Sequence, residues 1–174
     1  MAPGEGPDES RLSAPWYAIY TRHQHEKTIA QVLSAKGLDV FLPLYTTPRR
    51  WKDRTKLLSL PLFPCYIFLR GIKERRLEVV KTPGIVSVLS SNGEPAVIPE
   101  SEIEAVRRAI EWGKGVEPHP FLRCGDRVRV TSGPLRGLEG ILVRRKNLFR
   151  LVLSVEILER SAAVEVDVAA VERV

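Results

Sequence analysis

Apolar and polar residues change their rhythm several times along this chain, and each change marks an element. Residues 16 to 21 (WYAIYT) are aromatic and β-prone and predict a strand. The segment after it places Ile29, Val32 and Leu33 at helical spacing and closes at Gly37, so a helix follows. Residues 39 to 45 (DVFLPLY) predict a second strand, and beyond a basic stretch residues 57 to 70 (LLSLPLFPCYIFLR) predict a third. A short helix from about Lys73 to Lys81 stops at Thr82-Pro83-Gly84, because proline cannot continue the hydrogen-bond ladder. A strand at Ile85 to Leu89, a turn at Ser91-Asn92-Gly93 and a strand at Ala96 to Ile98 come next. The last helix sets Ile103, Val106 and Ile110 on one face and begins with Ser101 and Glu104 in capping-box spacing.

Two glycines and two prolines in residues 112 to 122 (WGKGVEPHPFL) break any period, which predicts a linker. Beyond it the pattern is β throughout: Arg127 to Val130, Gly140 to Arg144, Phe149 to Ile157, Ala163 to Val168 and Val171 to Val174. The expected fold class is therefore α+β, an N-terminal α/β sandwich followed by a small SH3-like β-barrel. The expected boundaries are a disordered start at 1–14, a first domain at 15–112, a linker at 113–122 and a second domain at 123–174. A module of about 50 residues lies near the lower size limit for folding alone, so its Val, Leu and Ile must supply the whole core.

Composition agrees with a folded chain: of 174 residues, 44% are hydrophobic and 28% charged. Apolar stretches fall short of a membrane span, and residues 1 to 15 carry acids and prolines where a secretory signal would be apolar. A cytoplasmic protein is expected. The formal charge of +6 is enough to attract polyanions but mild for a dedicated nucleic-acid binder. Residues 1 to 113 hold 16 basic and 13 acidic residues and residues 114 to 174 hold 11 and 8, so each part is +3. The informative charge is local, at Arg49, Arg50, Lys52, Arg54 and Lys56 and again at Arg144, Arg145, Lys146 and Arg150. Cys65 and Cys124 lie far apart, which suits a reducing compartment and gives neither a disulfide framework nor a four-ligand zinc site.

Alternation over residues 62 to 70 sends Phe63, Cys65, Ile67 and Leu69 one way and Pro64, Tyr66, Phe68 and Arg70 the other. Both faces are apolar, which fits either a central strand covered by helices or an aromatic face, with Tyr20 or Tyr17, left open for a partner helix. Gly133-Pro134-x-x-Gly137-x-x-Gly140 supplies glycines for a tight loop and close backbone approach between strands. It lacks the Gly-Lys-Ser/Thr ending of a phosphate cradle. No nucleophile triad, paired-carboxylate motif or nucleotide loop is present, so a binding protein is expected rather than an enzyme, with no cofactor. For a metal, His23 and His25 have only distant His119 and two sequence-distant cysteines as companions, so none is expected.

WYAIYTRHQHEK at 16 to 27, FLPLY at 41 to 45, LFPCYIFL at 62 to 69, TPGIVSVL at 82 to 89 and VRVTSGPLRGLEGILV at 128 to 143 resemble, in order and spacing, the NusG family of transcription elongation factors. These pair an NGN domain with a KOW domain. Trp51-Lys52-Asp53-Arg54 and RHQHEK look more like its specialised paralogues, the RfaH-like and polysaccharide-cluster antiterminators, than the housekeeping factor. The resemblance implies that Phe63, Pro64, Tyr66 and Phe68, with Tyr20, pack on the β′ clamp helices of RNA polymerase. Cys65 stands where many members carry Gly or Asn. Arg75 and Arg76 fall where RfaH-like proteins touch the β gate loop, so such a contact would be charged here.

Arg22, His23, Gln24, His25 and Lys27 match the place where paralogues meet non-template DNA; arginine can reach phosphate or base edges and histidine can stack. In the barrel, the loop tips at Leu135 to Leu138 and Ile157 to Arg160 match the family's surface for ribosomal protein S10 or Rho. Leu135, Leu138, Ile157, Leu158 and Arg160 are the contact candidates, and either Leu138 or Leu158 could instead plug the core. The implied function is a monomeric elongation factor that modulates pausing, termination or antitermination, meeting non-template DNA or nascent RNA at an edge and no membrane. The alternative is an RNA-binding module of ribosomal type, since such barrels also occur there; the aromatic strand face argues against it. RfaH-like members can hide the polymerase face under a helical C-terminal domain. The valines at 128, 130, 152, 155, 164, 166 and 168 instead predict a stable, freely tethered barrel.

Overall fold

The computed structural model describes residues 13–122 and 125–174. Most of the expected disordered start, and Cys124, lie outside the described residues. From the N-terminus, β1 (Trp16–Thr21), α1 (Glu26–Ala35) and β2 (Asp39–Phe41) lead into two long strands, β3 (Leu44–Trp51) and β4 (Arg54–Pro61), before β5 (Tyr66–Arg70). A 3-10 turn at Lys73–Arg75 runs into α2 (Arg76–Val80), then come β6 (Ile85–Val88), β7 (Ser90–Ser91), β8 (Glu94–Pro95), β9 (Val97–Ile98) and α3 (Glu100–Trp112). The remaining strands are β10 (Glu117–His119), β11 (Asp126–Val130), β12 (Glu139–Arg145), β13 (Leu148–Val155), β14 (Arg160–Val166) and β15 (Val171–Arg173). The chain divides into two compact units, Met1–Leu42 with Cys65–Glu100, and Pro43–Pro64 with Ser101–Val174.

The first unit is built on an antiparallel sheet in the order β2-β5-β1-β6, with β9 also paired to β1. Alternation gives β1 and β5 two apolar faces. One face carries Tyr17, Ile19, Ile67 and Leu69 onto Ile29 and Leu33 of α1 and Val79 of α2. Each fully buried aliphatic side chain of this kind contributes about 1.5–3 kcal/mol. The opposite face carries Trp16, Ala18 and Phe68, with the Phe41 ring 6.1 Å from Phe68 and 6.3 Å from Trp16. At its inner end the Arg70 guanidinium lies 4.7 Å from the Trp16 ring centroid and pairs with Asp39 and Glu100. β5, flanked by β2 and β1, is thus the interior strand that its two apolar faces suggested.

Three expectations change here. Residues 57 to 70 are two strands, separated by Leu62–Cys65, where Cys65 adopts φ +68°. Residues 39 to 45 likewise divide at Leu42-Pro43, since Pro43 has no N–H to give a ladder. The basic stretch between them forms the far end of a hairpin, with cross-strand pairs Arg49↔Lys56 and Trp51↔Arg54.

In the second unit a six-stranded antiparallel sheet runs in the order β10-β14-β13-β12-β11-β15, leaving β10 and β15 as its edges. α3 buries Ile103, Val106 and Ala109; Ile110, expected on that face, is only half-buried. Ala109, Ala105 and Trp112 pack into a cluster with Val128, Val130, Leu135, Leu138, Leu151, Leu153 and Val164. Arg108 donates to the carbonyls of Pro134 and Arg136 at 2.8 and 2.7 Å. The expected free linker is corrected at residues 117–119, which pair with β14 as β10. Glu117 forms ion pairs with Arg145 and Arg150, two members of a basic cluster that has no acid near it in sequence.

Glu102 on α3 is half-buried, and its Oε2 finds no hydrogen-bond partner. Burial is the main cause that pushes its carboxyl pKa up; a backbone hydrogen bond from Glu156 opposes this and the Glu156 charge adds to it. A raised folded-state pKa means stability is complete below the unfolded value and falls as pH rises through the folded one. Glu102→Gln is therefore expected to raise the thermal midpoint near neutral pH, with the gain fading toward about pH 4. Melting curves of both proteins across that range check it.

Candidate functional site

The mixed face of β1 and β5 passes from core to surface along the strands. Trp16↔Arg70 and Ala18↔Phe68 are covered, whereas the next pair, Tyr20↔Tyr66, reaches the open end. Their rings lie 5.4 Å apart at 51°, and Tyr20 is 39% exposed. Two adjacent tyrosines, each with an apolar body and a hydroxyl at the tip, form the sort of anchor that protein interfaces favour.

The other residues expected to meet a protein partner are distributed differently. Pro64 is exposed, but Phe63 and Phe68 are 1% and 0% exposed and serve as core side chains. An open aromatic face spanning all of them is thus corrected to the Tyr20–Tyr66 end, with Pro64 exposed separately. Arg76 is exposed, while the Arg75 guanidinium is occupied: it donates to both Glu78 carboxylate oxygens at 2.8 and 3.0 Å and to the Lys36 carbonyl at 2.8 Å. That hydrogen-bonded pairing raises the Arg75 pKa and lowers that of Glu78.

Arg22, His23, Gln24, His25 and Lys27 are all exposed around one tight turn between β1 and α1. The Arg22 N–H donates to the Gly84 carbonyl at 2.8 Å, the His25 N–H to the Arg22 carbonyl at 3.1 Å, and Gln24 takes φ +65°. Cationic and imidazole groups on a helix-opening turn suit contact with an anion. Glu26, in the middle of this exposed run, is only 3% exposed and accepts the Cys65 N–H at 2.8 Å. Cys65 Sγ lies 3.9 Å from His23 Nδ1, and ligand atoms of His23, Glu26 and Cys65 all lie within 4.8 Å of one another. The cysteine distant in sequence is therefore a spatial neighbour of His23. The signal was the pairing Tyr20↔Tyr66, which sets residue 65 beside the end of β1, where the Thr21 N–H donates to its carbonyl at 2.8 Å.

In the second unit Leu135, Leu138 and Leu158 are buried, the first two inside the core cluster beneath α3. They are plugs rather than exposed tips. Ile157 and Arg160 remain at the surface. Gly133 and Gly137 take φ +79° and +86°, the left-handed values that the tight loop needs.

A family profile described as "Transcription termination factor nusG" matches residues 14–107. The "Transcription termination/antitermination protein NusG" of Borreliella burgdorferi is 26% identical, over 94% of this chain and 100% of its own length. The protein of the same description from Thermus thermophilus is 29% identical, over 90% and 96%. Among solved structures, "Domain interaction in Thermotoga maritima NusG" superposes with a TM-score of 0.57 at 20% identity, covering 94% of this chain and 99% of that one. No helix among the described residues is long and apolar enough to cross a membrane.

Proposed function

The chain belongs to the NusG family of transcription termination and antitermination factors, and on that premise we propose that it is a cytoplasmic elongation factor that binds RNA polymerase. Residues 15–112 would be the NGN domain, residues 123–174 a KOW domain with an SH3-like barrel, and residues 113–122 the connection. The observation that carries this reading is the Tyr20–Tyr66 pair, left at the open end of an otherwise buried face. With Pro64 it would pack on the β′ clamp helices; Phe68, on the same sheet face, would support it from within, and Arg76 would be freer to reach the β gate loop than the engaged Arg75. Holding a polymerase closed asks for binding, not bond chemistry, and no catalytic residue is assigned.

Arg22, His23, Gln24, His25 and Lys27 would meet non-template DNA or nascent RNA, and Ile157 and Arg160 would offer the exposed part of a surface for ribosomal protein S10 or Rho. The basic RHQHEK and WKDR segments favour a specialised, RfaH-like paralogue. The test is the affinity of a Tyr20→Ala/Tyr66→Ala double variant for core RNA polymerase. A weakening of at least tenfold is expected, since an aromatic anchor that acts as an interface hot spot costs about 2 kcal/mol or more when truncated, with an unchanged circular dichroism spectrum. Undiminished binding by the folded variant overturns the mechanism.

A further inference from the structure

We propose that His23, Glu26 and Cys65 form a binding site for a divalent metal ion of the zinc class, with thiolate, imidazole and carboxylate as its protein ligands. The site does not depend on the polymerase reading and is tested without polymerase.

Sulfur, nitrogen and oxygen atoms of these three residues come within 4.8 Å of one another, and the Sγ to Nδ1 distance is 3.9 Å. A tetrahedral ion with Zn–S of about 2.3 Å and Zn–N of about 2.0 Å needs that edge to be about 3.5 Å, a few tenths of an ångström of side-chain movement away. A mixed S, N, O set favours zinc and its late first-row neighbours over magnesium or calcium, which take oxygen alone. Three protein ligands leave the fourth position to water or another small donor.

Charge and placement agree. Glu26 is the first residue of α1, so the positive end of the helix lies at the site and opposes a bare cation. A thiolate and a carboxylate offset this, and with a dipositive ion the assembly is neutral, which suits a carboxylate that is 3% exposed. Glu26 can keep the Cys65 N–H on one oxygen and offer the other to the ion. The ligands also have different accessibility: Cys65 is half-buried and His23 exposed, so an ion can enter from solvent on the His23 side. Binding exchanges the Cys65 thiol proton for the metal; the proton leaves to solvent and the sulfur keeps its electron pair.

The test uses the full chain, purified reduced, titrated with Co2+ and then competed with Zn2+. One Co2+ per chain is expected, with a near-ultraviolet thiolate-to-cobalt charge-transfer band that Zn2+ removes. Cys65→Ser should abolish the band, His23→Ala should weaken binding at least tenfold, and Cys124→Ser should leave both unchanged. Glu26→Gln should also weaken binding; because Glu26 is buried, circular dichroism must accompany it, and exposed His23→Ala keeps the test decisive if that variant does not fold. Absence of the band in the parent protein, its survival in Cys65→Ser, its loss in Cys124→Ser, or full affinity in His23→Ala would each overturn the site.

Discussion

Phe68→Ala is expected to destabilise the first unit by about 3–5 kcal/mol, the usual cost of truncating a fully buried phenylalanine. Phe68 is 0% exposed, in the middle of an interior strand with β2 on one side and β1 on the other. Its cross-strand partner is Ala18, too small to fill the space, and the Phe41 ring 6.1 Å away would lose its neighbour. Total stabilities of about 5–15 kcal/mol leave little after such a loss. Tyr66, two residues earlier on the same face, is half-exposed, and its truncation should cost far less. Urea unfolding of the two variants separates them: a large drop in midpoint for Phe68→Ala beside a small one for Tyr66→Ala. Equal, small shifts would show that Phe68 is not a core residue. Under the expected contrast, a loss of the proposed polymerase binding in Phe68→Ala is read as unfolding, whereas in Tyr66→Ala it is read as a lost contact.

How well each element could be read depends on how local its cause is. β1 and α1 carry their own signals, an aromatic run and a 3.6-residue apolar period closed by Gly37, and both occur close to where those signals put them. The β3–β4 hairpin does not. Arg49, Arg50 and Arg54 look like a solvated stretch, and only pairing with the opposite arm makes them parts of strands, with Lys52 in the turn between. The apolar run from Leu57 to Arg70 hides its own break, because continuous hydrophobicity has no period to lose. The break falls at Cys65, whose φ of +68° is a conformation that Gly and Asn adopt most easily. Pro118 and Pro120 argued for a linker, yet an edge strand tolerates proline, and Glu117 is held by Arg145 and Arg150 from later in the chain. The His23–Glu26–Cys65 cluster is the extreme case, since its members meet only through the register of β1 with β5.

The second unit should fail most sharply at Gly140. Gly140→Ala is expected to cost at least about 3 kcal/mol, more than an ordinary overpacking substitution, because the obstruction is backbone. The reason is space rather than dihedral preference. A Cβ built at Gly140 comes closer than 3.0 Å to the Val152 carbonyl oxygen and within 3.1 Å of the Leu151 side chain. Gly140 lies on β12, opposite Val128 of β11, and its next neighbour Ile141 pairs with Val152 of β13. A flexible side-chain tip could rotate away, but the carbonyl is fixed in the sheet, so relief requires β12 to separate from β13. Gly137, three residues earlier, is the matched control. Its φ is +86° but nothing lies within 4 Å of a Cβ there, so Gly137→Ala bears only the left-handed penalty of about 1–2 kcal/mol. Denaturation midpoints of the two variants should therefore fall in the order parent, Gly137→Ala, Gly140→Ala, with the widest gap before the last. If Gly140→Ala unfolds at or above the midpoint of Gly137→Ala, the close approach of β12 to β13 is not what holds this sheet together.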